Sequence, residues 1–106
     1  MSSKKKSAKV LPASGWTFLT NHSHVLLCLA ADDSLRVRDL ADRVGITERA
    51  VMKILSELEA GGVLGREREG RRNRYRILHR VPLRHAIEQH RTVGDLIAAV
   101  HSSKRR

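Results

Sequence analysis

The sequence has 106 residues, enough for one domain with a modest core. Its one cysteine, Cys28, excludes a disulfide within the chain, and no apolar stretch approaches the roughly 20 residues that a membrane-spanning helix needs. The formal net charge of +10 is concentrated in two tails and in residues 66–76, which hold six arginines and two glutamates, so it indicates a local contact with a polyanion.

Both ends of the chain are basic and lack hydrophobic periodicity. Residues 1–14 are predicted to be a disordered arm, and residues 102–106 a basic tail. Either could contact nucleic acid or simply be solvated, and the sequence leaves both alternatives open. No apolar stretch follows the basic start, so we expect no signal peptide and no membrane contact, and a cytoplasmic, nucleoid-associated location.

The first predicted helix is capped by Thr20 or Asn21 and runs to about Ala31. It is apolar on nearly all sides after residue 24, which predicts the central helix of the domain. Cys28 lies inside this apolar run, so we expect a buried structural residue rather than a redox sensor. Residues 32–34 interrupt the helix, and residues 35–37 could form a short strand.

Residues 36–60 contain two apolar helical periods separated by Gly45. The periods are Val37, Leu40, Ala41 and Val44, then Val51, Ile54, Leu55 and Leu58. Gly45 is expected to end the first helix in a left-handed conformation, with Ile46 as an apolar plug in the turn, and Thr47 to cap the second helix. Asp39 is expected to accept a hydrogen bond from the backbone N–H of Arg36. This order predicts a helix-turn-helix.

The outward face of the second of these helices is the first candidate site. It mixes hydrogen-bonding, charged and apolar side chains, namely Thr47, Glu48, Arg49, Met52, Lys53 and Ser56. Helices that enter a DNA groove present such groups to base edges, mainly from their N-terminal end. The alternative is a helical hairpin with a solvated polar face.

Residues 61–78 are predicted to form a β-hairpin with Gly70 in its turn. One arm is Val63–Arg68 and the other is Arg74–Leu78. Tyr75 and Ile77 alternate with arginines, which predicts one buried and one basic face. The residues expected to contact DNA are Arg71, Arg72, Asn73 and Arg74.

The segment DLADRVGITERAV, the run of residues 55–64 and the segment GRRNRYRI together resemble winged helix-turn-helix transcriptional regulators of the MarR and ArsR type, over residues 17–80. The resemblance implies a mainly α fold with a β-hairpin wing in a domain of residues 15–80. It also implies a sequence-specific, double-stranded DNA-binding regulator that acts as a homodimer on a pseudo-palindromic operator.

The predicted dimer contacts come from both ends of the folded region. Residues 82–90 are a short helix or a loop, and Thr92 caps a final helix in a C-terminal dimerisation segment of residues 81–101. The predicted interface combines the apolar stripe of that helix with the Trp16–Leu19 segment, and its residues are Val93, Leu96, Ile97, Val100, Trp16, Phe18 and Leu19. The alternative is that the stripe packs on its own domain.

Other chemistry has little support in the sequence. Neither His22 with His24 nor His85 with His90 has the spacing of a zinc site on one helical face, and His90, Asp95 and His101 could meet only across a dimer. No catalytic motif is present, so we expect no metal, no cofactor and no enzymatic activity. A metal-responsive regulator and a winged-helix protein-interaction module remain alternatives, although the latter has no need of six arginines in its wing. No effector is identifiable.

Overall fold

Four helices and one antiparallel hairpin follow one another in the computed structural model, which describes residues 15–102. The elements are α1 Asn21–Ala31, α2 Val37–Val44, α3 Glu48–Ala60, β1 Leu64–Glu69, β2 Arg72–Ile77 and α4 Val93–His101. The predicted mainly α fold with a small hairpin wing is confirmed. The predictions of a disordered arm at 1–14 and of the basic tail beyond residue 102 lie outside the described residues.

The helix ends form at the residues that the sequence indicated. The Thr20 hydroxyl accepts from the Ser23 N–H at the start of α1, and the Thr47 hydroxyl accepts from the Ala50 N–H at 3.0 Å at the start of α3. Gly45 ends α2 with a φ of +84°, a left-handed conformation that a side chain would strain. These caps place α2 and α3 in the predicted helix-turn-helix arrangement.

The core lies where α1, α2 and α3 meet the base of the hairpin. Both predicted apolar periods face it: Leu40 and Ala41 are buried from α2, all four predicted residues of α3 are buried, and Val37 and Val44 pack against its edge. Tyr75 of β2 is also buried, as the alternating pattern predicted. Burial of these side chains supplies most of the stabilisation of so small a domain.

The hairpin is joined by the two-residue turn Gly70–Arg71, because Glu69 pairs directly with Arg72. Gly70 has a φ of +65° in this turn. The prediction that residues 35–37 add a third strand is wrong, since the sheet in the described residues has two strands. Leu35 is buried in the core instead, and Val37 begins α2. At this edge of the sheet, the Tyr75 N–H donates a 3.4 Å hydrogen bond to the Asp33 carbonyl.

After the hairpin, residues 78–92 form a turn-rich loop rather than a helix. A single antiparallel β-bridge between Pro82 and Thr92 holds the end of this loop next to its beginning. Helix α4 then packs against α1 and buries Val93 and Ile97. The core of the domain therefore continues past residue 80. Among residues 15–102, no helix combines the length and apolar character needed to cross a membrane.

Candidate nucleic-acid interface

The buried face of α3 determines which side chains point away from the domain. Because Val51, Ile54, Leu55 and Leu58 all face the core, the opposite face is solvent-exposed. All six residues predicted on this face are exposed in the structure: Thr47, Glu48, Arg49, Met52, Lys53 and Ser56. Met52 is 55% exposed, so its apolar side chain is accessible from outside the domain.

The two cations on this face differ in their partners. Arg49 forms no ion pair or side-chain hydrogen bond with any residue of the described range. Lys53 lies 3.6 Å from Glu57 through its Nζ, one helical turn further on, and its side chain is mostly exposed. A 3.6 Å contact between exposed groups is weak, so both cations are available to an incoming anion.

Glu57 was not among the predicted site residues, although it connects α3 to α1. Its Oε1 lies 2.7 Å from His22 Nε2, and this hydrogen bond, together with the charge of Lys53, lowers the pKa of the Glu57 carboxyl. Glu57 therefore stays ionised at neutral pH. The only sequence signal for it was the i, i+4 spacing from Lys53.

Two arginines of β2 form ion pairs with carboxylates. Arg74 lies between Asp33 of the α1–α2 loop, at 3.4 Å, and Glu69 of β1, at 3.3 Å. Arg76 lies 2.6 Å from Glu67. The sequence predicted a basic face here, and the structure shows a face of alternating charges that attracts a polyanion less strongly than the arginine count suggests.

The arginines near the turn have fewer partners. Arg72 donates from Nη2 to the Ser34 carbonyl at 2.6 Å, which fixes the guanidinium, and it forms no direct ion pair within residues 15–102, although hydrogen bonds from Ser34 and, to a smaller extent, the charge of Arg72 lower the pKa of the nearby Asp32 carboxyl. Arg71 occupies the turn itself, is exposed, and has no side-chain partner within residues 15–102. Asn73, next to them, is half-buried.

A further ion pair connects the wing to α3. Arg66 of β1 lies 3.2 Å from Glu59, near the end of α3. Together with the contacts of Arg72 and Arg74 to the α1–α2 loop, this ion pair ties the hairpin to both neighbouring elements. The wing is therefore held in a defined direction beside α3. Sequence analysis did not predict these contacts, since their partners are 7 to 41 residues away.

Two of the histidines, His24 and His101, and the cysteine have ordinary structural contacts. His101 Nε2 lies 3.0 Å from the Leu27 carbonyl, and His24 Nδ1 lies 3.1 Å from the Asn21 side-chain oxygen. Residues 15–102 contain no group of three or more potential metal ligands. Cys28 is half-buried against the core, and burial raises the pKa of its thiol, with a smaller opposing effect of Arg43. The raised pKa disfavours the reactive thiolate.

The residues predicted to form a dimer interface divide into two sets. Val93 and Ile97 are buried within their own chain, so for them the structure favours the alternative of packing on their own domain. Leu19 and Leu96 are half-buried, and Val100 is exposed. Trp16 and Phe18 are 61% and 91% exposed and pack edge to face with ring centroids 5.0 Å apart. This aromatic pair is the largest exposed apolar feature of the predicted interface.

Comparison with known proteins adds two findings. Residues 19–64 match a family model described as winged helix-turn-helix DNA-binding. The crystal structure of the zinc-dependent MarR family transcriptional regulator AdcR in the Zn(II)-bound state aligns with a TM-score of 0.51 at 20% sequence identity, over 89% of this chain and 60% of AdcR. At that identity the likeness concerns the fold, and the chain spans less than two thirds of AdcR. No curated protein sequence matches.

Proposed function

Because the chain contains a winged helix-turn-helix DNA-binding domain and has the fold of MarR-type regulators, we propose that it is a transcriptional regulator that binds double-stranded DNA sequence-specifically as a homodimer. One observation carries this proposal: the six exposed residues of α3 lie on the face opposite its core stripe, beside a wing that has Arg71 in its turn and Arg72 next to it, neither in a direct ion pair with a described residue. On a pseudo-palindromic operator, two such helices would enter successive major grooves.

The residues of α3 would have distinct roles in the groove. Arg49 is the candidate for a bidentate contact to guanine, and Lys53 for guanine or phosphate. Met52 could contact a thymine methyl group, and the Thr47 hydroxyl could contact a phosphate while it caps the helix. Glu48 has two alternatives: it accepts from a cytosine amino group, or it only favours the helix dipole.

Footprinting on the DNA upstream of the protein's own gene is the direct test of sequence-specific binding. Protection of two half-sites separated by about one helical turn would support a dimer on a pseudo-palindrome. The interaction-module alternative predicts no protected half-sites and no preference for this DNA over a random duplex. The zinc dependence of AdcR is a property of that protein.

The turn of the wing should bind DNA through phosphates. Replacing Arg71 and Arg72 together with alanine should weaken binding to all duplexes similarly, because phosphate contacts carry no sequence information. The slope of log K against log salt should become shallower by about 0.9 for each phosphate that is no longer neutralised. Fluorescence anisotropy with a random duplex at several salt concentrations measures this, and an unchanged slope would contradict the assignment.

The proposed dimer should depend on the exposed aromatic pair. Replacing Trp16 and Phe18 with serine should shift the protein from dimer to monomer in light scattering without loss of helical circular dichroism, because both side chains lie outside the core. Ile87→Ser is the matched control, since Ile87 is also strongly exposed but lies outside the predicted interface. A double variant that remains dimeric would exclude the aromatic pair as the main interface.

This substitution is a sharper test than truncation of the last helix. Removing the residues after His90 would take Val93 and Ile97 out of the core, so it would destabilise the monomer as well as any dimer.

A further inference from the structure

Arg68 differs from Arg66, Arg74 and Arg76 of the wing because it forms no ion pair with a carboxylate of the described residues. It lies near the end of β1, paired in register with Asn73, and is exposed. Its one side-chain contact within residues 15–102 is a long hydrogen bond of 3.4 Å from Nε to the Gly70 carbonyl. No carboxylate in the described chain compensates its charge.

The position of Arg68 on the hairpin also follows from the register. Residues two apart in a strand share a face, so Arg68 shares a face with Arg66. Arg66 reaches Glu59 of α3 from this face. Arg68 therefore lies on the α3 side of the wing, two residues closer to the turn than Arg66. A duplex bound to the exposed face of α3 would lie next to this position.

Arg74, in contrast to Arg68, forms ion pairs with two carboxylates. It lies on the other face of the hairpin, paired in register with Glu67, and its guanidinium is shared between Glu69 and Asp33. Asp33 also accepts the Tyr75 N–H through its carbonyl, so the α1–α2 loop holds β2 at two adjacent residues. A guanidinium between two carboxylates gains little from a phosphate, because it must first leave them.

We propose that Arg68 is a DNA-contacting residue that binds phosphate together with Arg71, and that Arg74 is a positioning residue that sets the direction of the wing through Asp33 and Glu69. This inference rests on the proposed DNA-binding function and reassigns the wing contacts within it. Within the wing, it makes the number of arginines without an ion pair, rather than the total number, the quantity that determines the contribution of the wing to the salt dependence of binding.

The test measures binding of the full chain to one random 25-base-pair duplex, a length of about two and a half helical turns, across a range of salt concentrations. Arg68→Ala and Arg71→Ala should each make the slope of log K against log salt shallower by about 0.9. Arg68→Lys should retain the wild-type slope, because a phosphate contact needs the charge rather than the guanidinium shape.

The double variant Asp33→Asn with Arg74→Gln is the matched comparison, because it has the same net charge as the wild type. It should keep the wild-type slope while binding several-fold more weakly at any one salt concentration, since the phosphate contacts remain but the wing is less well held. A shallower slope in this variant would mean that Arg74 contacts phosphate, and unchanged affinity would mean that it does not position the wing.

An unchanged slope for Arg68→Ala would overturn the assignment of Arg68. Failure of the inference is distinguishable from failure of the proposed function, because in the second case footprinting would show no protected half-sites, while the salt dependence of the wild-type chain on the random duplex would still report its phosphate contacts. Circular dichroism of each variant identifies any loss of folding, and Arg68→Lys keeps the test decisive if the alanine variant is unstable.

Discussion

Leu40→Ala should lower the free energy of unfolding by about 2–5 kcal/mol, the range for truncation of a large buried aliphatic side chain. Leu40 is completely inaccessible to solvent. It lies on α2, which packs against both α1 and α3, so the cavity left by alanine would lie among three helices that cannot easily close over it. In a domain this small, such a loss is a large share of the total stability.

Urea denaturation followed by circular dichroism measures this loss, provided that the slope with denaturant is unchanged. Leu27→Ala is the matched control, because it removes the same atoms from a leucine that is only partly buried at the edge of the core. The control should lose distinctly less stability. Equal losses at the two positions would mean that Leu40 does not have the central place that its burial indicates.

Arg49→Ala should cost about 1–3 kcal/mol of binding free energy on the operator and little on random DNA, the pattern expected when a hydrogen-bonded partner of guanine is removed. Arg49 is exposed and has no partner within residues 15–102, so its removal leaves no buried group unsatisfied. The loss should therefore report on the interaction with DNA and not on folding.

The measurement compares dissociation constants for the footprinted operator and for a random duplex at one salt concentration. Arg80→Ala is a suitable control, because it removes the same charge from an exposed residue that follows the wing and lies outside α3. Equal losses for Arg49→Ala on both duplexes would assign Arg49 to phosphate, and the sequence-specific contacts would then have to come from other residues of α3.

The features that could be predicted from the sequence were those that depend on residues close together in the chain. The apolar period of α3 determined which of its faces is buried, and hence that Arg49, Met52 and Lys53 point outward. Capping by Thr47 and the left-handed Gly45 depend on groups within a few residues, so the positions of these helix ends were also predictable. The hairpin turn at Gly70 has the same explanation.

Periodicity shows that a helix face is apolar but does not identify the surface that covers it. The stripe of α4 was predicted to face a second copy, with packing on its own domain as the alternative, and the fold buries Val93 and Ile97 against the same chain. Residues 35–37 had a composition compatible with a strand, but Leu35 gains more by filling the core and Val37 by starting α2.

Charge is the property for which the tertiary structure mattered most. From the sequence, Arg71, Arg72 and Arg74 were predicted to contact DNA, but nothing in it showed which of the six wing arginines are paired with carboxylates. In the fold, Arg74 lies within 3.4 Å of two carboxylates, one of them 41 residues earlier in the chain, while Arg68 and Arg71 lie near none. Coulomb interactions depend on distance through space, so only the packing of the α1–α2 loop and α3 against the hairpin decides which arginines remain available to DNA.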